Sequence, residues 1–218
     1  TQIAIQGPKG VNLLQKLTDA DLSAVKFYWV TRGKVCGLPN VLMGRTGYTG
    51  EDGFEIYIPS DEATSVRVWN EILEAGKESK VVPCGLGSRN TLRLEAKLPL
   101  YGHEISDTIN VWEAGLDRFC KMEKADFSGR AALEQSKSGS QKRMLVGLEM
   151  MERGIARDDY KVQDLSGREI GYVTSGSPAP FLKKNIALAY VPPEFGGLGQ
   201  ELKVEIRGQG VKAMVVPT

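Results

Sequence analysis

The stretch Gly47-Tyr48-Thr49-Gly50-Glu51-Asp52-Gly53, running directly into Phe54-Glu55-Ile56-Tyr57-Ile58-Pro59, constrains the fold of this chain more than any other. Gly47, Gly50 and Gly53 recur at a spacing of three, and glycine allows a backbone to take positive φ and to approach a ligand closely because no Cβ intervenes. The residues that follow alternate as a strand does, with Phe54, Ile56 and Ile58 on one face and Glu55 and Tyr57 on the other. The chain must therefore build a sheet with a core on one side, and it holds a carboxylate on a rigid element beside a glycine turn. Two uses fit that pattern. One is a tight hairpin with Glu55 solvated on the outer sheet face; the other is a binding site toward which Glu55 points.

Before the loop, Ile3 and Ile5 alternate in a short strand, and Gly7-Pro8 opens a helix with proline where its missing N–H does no harm. Val11, Leu14 and Leu17 form the buried stripe of that helix. Phe27 to Met43 reads as two strands broken by turn-formers at Gly33 and Pro39-Asn40. Beyond the loop, Ser60 is the expected cap of a helix whose apolar residues are Val66, Trp69, Ile72 and Leu73, with Gly76 at its end. Val81-Val82 reads as one more strand. Residues 2–84 thus predict an α+β unit of ferredoxin-like β-α-β-β-α-β order.

Cys84 to Ala96 reads as a glycine turn, a serine cap at Ser88 and a helix with Arg89 in its first turn. A cation there opposes the helix dipole, so Arg89 needs an acceptor or anionic partner; its plainest alternative is a weak surface ion pair. Residues 111–121 fit either helix or strand, and a short helix is expected after Ser128. The polar run 136–143 is the expected linker, dividing a region at 1–135 from one at 144–218. In the latter, Met144–Met150, Glu169–Thr174, Ile186–Val191, Leu202–Ile206 and Val211–Val216 predict a small antiparallel β-barrel or sandwich.

With 28 basic and 27 acidic residues among 218, the chain lacks the global field that holds a polyanion, which argues against nucleic acid as a partner. No apolar run reaches membrane-spanning length and no signal-peptide pattern opens the chain, so no membrane partner and a cytoplasmic setting, or a mitochondrial one in a eukaryote, are expected. Cys36, Cys84 and Cys120 are odd in number and far apart, which supports neither a disulfide framework nor a zinc site. They read as reduced, buried thiols. The single histidine, His103, reads as a hydrogen-bonded structural residue, and no metal is expected.

Arg45-Thr46 and the loop-strand stretch to Ile56 resemble the signature of the glycine cleavage system T-protein family, the folate-dependent aminomethyltransferases. Ala4–Lys9, Arg93–Gly102, Val173–Pro180 and Lys184-Asn185 also resemble family segments in the family's order, so the likeness covers essentially the whole chain. Sarcosine and dimethylglycine dehydrogenases share the loop signature but carry a flavin domain for which this chain has no room. The resemblance implies a one-carbon transfer in which an aminomethyl group on the lipoyl arm of an H-protein passes to tetrahydrofolate, with ammonia released and 5,10-methylenetetrahydrofolate formed. It implies that Glu55 binds the pterin, that Tyr48 lies near it and that Arg89 contacts the folate.

The same resemblance implies that the chain starts after an N-terminal region bearing a functionally central aspartate and stops before an aromatic C-terminal end. On that reading no catalytic acid or base can be assigned; Glu51, Asp52 and Glu113 are candidates by proximity only. Asn90 stands where the family usually has aspartate. Three outcomes are distinguished. The first is an aminomethyltransferase, and the second is a catalytically incomplete folate-binding module. The third, an iron–sulfur assembly scaffold, requires a reactive-cysteine motif that the sequence lacks. An exposed core side predicts self-association.

Overall fold

The computed structural model describes residues 1–139 and 141–218. Contacts divide the chain into two units, Thr1–Ala96 and Lys97–Thr218. In the first, β1 (Gln2–Gln6), α1 (Gly10–Gln15), β2 (Val30–Val35), β3 (Leu38–Gly44), β4 (Gly53–Tyr57), α2 (Glu62–Ala75) and α3 (Leu86–Glu95) follow one another. The strands form an antiparallel four-stranded sheet in the order β1-β4-β3-β2. Its inner face buries Ile3, Ile5, Val41, Met43, Phe54 and Ile56 against Leu13 and Leu14 of α1 and Val68 and Ile72 of α2. The alternation predicted for Phe54–Ile58 holds, since Phe54, Ile56 and Ile58 are buried while Glu55 is half-buried and Tyr57 exposed. On the outer face, cross-strand pairing sets Ala4, Glu55, Gly44 and Val30 in one row.

The mixed α and β character matches expectation, but the element order differs from β-α-β-β-α-β. The three strands read one by one from the sequence all lie between α1 and α2, one more than that order allows, and Val81-Val82 belongs to none. Pro83 follows immediately and has no N–H to extend a ladder, and Val81 packs against the core without pairing. The turn between β2 and β3 also moves. It lies at Cys36-Gly37, with φ of 47° and 77°, the left-handed pair that a two-residue hairpin requires. Gly33 instead sits in β2 at a register shift, where a Cβ would come within 2.8 Å of Asp19 Oδ1. Asp61, not Ser60, caps α2 by accepting the Thr64 N–H at 2.8 Å. Gly85 caps α3 without a side-chain bond, so Ser88 is already inside the helix.

In the second unit, α4 (Arg130–Ser138) precedes β5 (Met144–Met150), β6 (Lys161–Gln163), β7 (Glu169–Ala179), β8 (Lys184–Val191), β9 (Glu201–Ile206) and β10 (Gln209–Val216). These close into an antiparallel barrel in the order β10-β5-β8-β7-β6-β9 around Val146, Leu148, Val173, Ala189, Val204 and Val215. All five expected strands are present; β6 was not foreseen. The run expected as a linker at 136–143 begins inside α4, and its Ser140 lies outside the described residues. Trp112 explains the extra helical residues, because its indole N–H donates to the Leu133 carbonyl and to Ser136 Oγ, satisfying groups at the helix end. Residues 111–121 form turns with a short 3-10 segment at Asp117–Phe119. His103 Nδ1 donates to the Thr174 carbonyl at 2.9 Å, a structural hydrogen bond of the expected kind. Among the described residues no helix is long and apolar enough to cross a membrane.

Candidate functional site

A cavity of about 430 Å³ lies in the first unit, where the edge strand β1 meets α2, the segment Val81–Gly85 and the start of α3. Ile72, Leu73, Val81, Val82 and Leu92 make its walls largely apolar, and Trp69 adds an aromatic side. Polar groups converge from three directions: Glu55 from β4, Tyr48, Thr49 and Glu51 from the glycine loop, and Ser88 and Arg89 from α3. A small apolar pocket with a few placed polar groups is the usual form of a small-molecule site.

The three residues predicted for the site, Glu55, Tyr48 and Arg89, all line this one cavity. Glu55 stands on the outer sheet face between Ala4 and Gly44, whose small side chains leave its flanks open. Tyr57, two residues along the same face, donates its hydroxyl to Glu55 Oε2 at 3.4 Å, while burial together with the nearby Glu55 charge raises the Tyr57 pKa. Among the described residues Arg89 forms no ion pair at the helix start. Its guanidinium lies over the Tyr48 ring, 4.4 Å from the centroid, and this cation–π contact takes the place of the acceptor the sequence demanded. Its backbone N–H bonds to the Gly85 carbonyl at 3.1 Å, so Arg89 lies just beyond the orphan donors of the first turn.

The glycine loop is built differently from expectation. Only Gly50 has positive φ, at 78°, and a Cβ there would come 2.7 Å from that of Ala96. Gly47 and Gly53 lie outside the left-handed region; the Gln6 carboxamide occupies the space a Cβ of Gly47 would need, and the β1 backbone at Ile5 and Gln6 occupies that of Gly53. The glycines therefore let the loop pack inward on its own unit, leaving Tyr48 to face the cavity. Arg45 closes the loop's base, with Nε 3.0 Å from Asp52 Oδ1, Nη2 2.6 Å from Oδ2, and Nη1 donating to the Val25 carbonyl at 2.8 Å. The Arg45 hydrogen bonds hold the Asp52 carboxyl below its ordinary pKa, and Asp52 reciprocally raises that of Arg45.

Of the acids considered by proximity, Glu51 is exposed and lines the cavity, whereas Asp52 is committed to Arg45. Glu113 belongs to the second unit, where it accepts from the Asn110 N–H at 3.1 Å and pairs with Arg143 Nε at 3.2 Å. The three thiols are free, but only Cys36 is buried; burial and Glu71 push its pKa up to about 11. Cys84 is exposed and lines the cavity, contrary to expectation, because it sits in the irregular segment before α3. No group of three or more His, Cys, Asp or Glu side chains among the described residues is placed to hold a metal. Sequence reading missed Gln6, Trp69 and Ser88. Gln6 alone carried a signal, as a polar residue within the quoted Ala4–Lys9 segment.

Two family models match the chain: the GCVT N-terminal domain over residues 1–124 and the glycine cleavage T-protein C-terminal barrel domain over 143–218. An aminomethyltransferase of Koribacter versatilis is 75% identical over the whole chain, which spans 57% of that relative. One from Acidobacterium capsulatum is 65% identical, with the chain spanning 58% of it. The glycine cleavage system aminomethyltransferase T from Bartonella henselae superposes with a TM-score of 0.87 at 31% identity, over 99% of this chain and 58% of that one. The chain thus spans a little over half the length of the relatives it matches. With both of its halves matched by the corresponding domains, the chain belongs to the glycine cleavage T-protein family.

Proposed function

We propose that this chain carries the folate-holding part of a tetrahydrofolate-dependent aminomethyltransferase of the glycine cleavage system. The observation that carries the reading is the convergence of Glu55, Tyr48 and Arg89 on one largely apolar cavity in a member of this family. The pterin edge offers adjacent ring N–H and amino donors, and a single carboxylate with two oxygens accepts both in charge-assisted bonds. Glu55 supplies that carboxylate from a strand, and strand placement fixes its direction better than a loop would. The Tyr48 ring, backed by Arg89, offers a flat surface to the folate.

Within this reading, residues 1–135 form the folate-binding region and 144–218 the C-terminal barrel domain. The lipoylated H-protein is the partner that delivers the aminomethyl group to the folate, with ammonia leaving. Catalysis then depends on orienting the folate amine against the sulfur-bound carbon and on excluding water, and not on a metal.

Calorimetric titration of the chain with tetrahydrofolate, beside Glu55→Gln, tests the reading. The amide keeps the shape of the carboxylate but loses the charge and one acceptor. The variant should bind more weakly by about 1.4 kcal/mol or more, a tenfold change. Equal affinity in both proteins removes Glu55 from the site. Binding without aminomethyl transfer when H-protein is supplied identifies a binding module.

A further inference from the structure

We propose that Gln6 is a positioning residue for this cavity, pinning the glycine loop so that Tyr48 lies against Arg89. Gln6 ends β1, and its carboxamide reaches across to both ends of the loop. The Nε2 group donates to the Thr46 carbonyl at 3.0 Å and to the Phe54 carbonyl at 3.3 Å. Oε1 accepts from Thr49 Oγ1 at 3.3 Å, and Thr49 Oγ1 in turn accepts the Glu51 N–H at 3.2 Å. One side chain thereby fixes the residue before the loop's first glycine, the residue beside Tyr48 and the first residue after its last glycine.

Space and polarity agree. A Cβ on Gly47 would fall on the Gln6 carboxamide, whereas one on Gly53 would first meet the Ile5 carbonyl oxygen of β1, then Gln6 Cα at 2.8 Å and Cδ at 2.9 Å. Gly47 is thus shaped around the Gln6 side chain, and Gly53 around the β1 backbone at Ile5 and Gln6. No charged or apolar residue of that size serves. A carboxylate would face the Thr46 and Phe54 carbonyls with no proton to give, and an apolar side chain would leave those acceptors unmet. The loop's other anchor, the Arg45–Asp52 pair, closes its base. Gln6 anchors Thr49, the residue next to Tyr48.

The ligand consequence rests on the folate reading; the loop consequence does not, and the experiment separates them. Gln6→Met keeps side-chain length and removes all three hydrogen bonds. In the ligand-free chain, the Arg89 side-chain protons lie over the Tyr48 ring and resonate upfield by its ring current, with Tyr48→Leu as the reference for its loss. Gln6→Met should move them to the Tyr48→Leu position while thermal unfolding stays cooperative, and should raise the tetrahydrofolate Kd about tenfold, the scale of losing a pair of neutral hydrogen bonds.

A second variant guards against simple misfolding. Gly47→Ala should displace the same Arg89 signals because its Cβ meets Gln6, and Gln6→Ala combined with Gly47→Ala should be no worse than Gln6→Ala alone. Unmoved Arg89 signals in Gln6→Met, or additive losses in the double variant, overturn the proposal. Collapsed Arg89 signals with no folate binding by the parent chain uphold the positioning role and remove the folate reading instead.

Discussion

Arg93 is 2% exposed in α3, and a buried guanidinium needs partners because it cannot shed its charge. One of them is Asn90, a turn earlier, whose Oδ1 accepts from Arg93 Nε at 2.9 Å and from Nη2 at 2.7 Å. A single neutral oxygen thus takes two donors from a cation. Asn90→Asp would give both donors their own charged acceptor and would place a negative charge near the start of α3, where the helix dipole favours it. The substitution should stabilise the protein by about 1 kcal/mol, the gap between neutral and charge-assisted hydrogen bonds, and raise Tm by about 2–4 °C. A thermal scan that shows Tm falling would mean that desolvating the carboxylate outweighs the pair. Strand period placed Glu55 on the outer sheet face and cap chemistry placed Arg89 at a helix start, but that Glu55, Tyr48 and Arg89 belong to one site was legible only through the family resemblance, and all three line one cavity. The partner of Arg89 was not legible, because Tyr48 and Arg89 are brought together by tertiary packing.

At the scale of elements, periodicity was a better guide than turns. The β4 alternation and the α2 stripe were readable, whereas the β2–β3 turn was not: Cys36 takes a left-handed conformation that nothing in a cysteine advertises. The glycine loop was legible as a loop, but its inward packing on Gln6 and Ala96 depends on contacts distant in sequence. Its Arg45–Asp52 clasp makes a prediction of its own. The folded-state pKa of Asp52 is depressed, so its contribution to stability is fully present above the unfolded carboxyl value of about 4 and is lost as pH falls through the lower folded value. The pair is partly exposed, with side-chain exposures of 24% and 42%, so the effect is modest. Urea unfolding of the parent and Asp52→Asn should differ by a constant amount above pH 5, and the difference should shrink below pH 4. A gap unchanged down to pH 3 would show that the clasp does not depend on the carboxylate charge.

Across the molecule, five of the six barrel strands were legible from alternation and turn spacing, while β6, only Lys161–Gln163, is too short to show a period. Closure itself was not legible, since pairing of β6 with β9 and of β10 with β5 joins segments far apart in the chain. The first unit has no such closure, and its sheet ends on two edges, β1 and β2. Exposed Arg32 and Lys34 on β2 guard that edge against pairing, as charges on edge strands do. At the start of the same strand, however, Phe27, Tyr28, Trp29 and Val30 are 52%, 69%, 57% and 64% exposed, a contiguous apolar ridge of the kind that marks an interaction surface. Tyr28 also holds a positive φ of 65°, and its N–H bonds to the Arg45 carbonyl, so the ridge is held out by the backbone. The chain should therefore self-associate through this ridge. In sedimentation velocity the weight-average coefficient should rise with concentration for the parent chain and stay flat for a Tyr28→Gly, Trp29→Ser double variant, in which glycine relieves the strained φ and neither change touches the core. The same rise in both proteins would place the association elsewhere on the molecule, and a flat profile in both would mean that the charges on β2 suffice to keep the ridge apart.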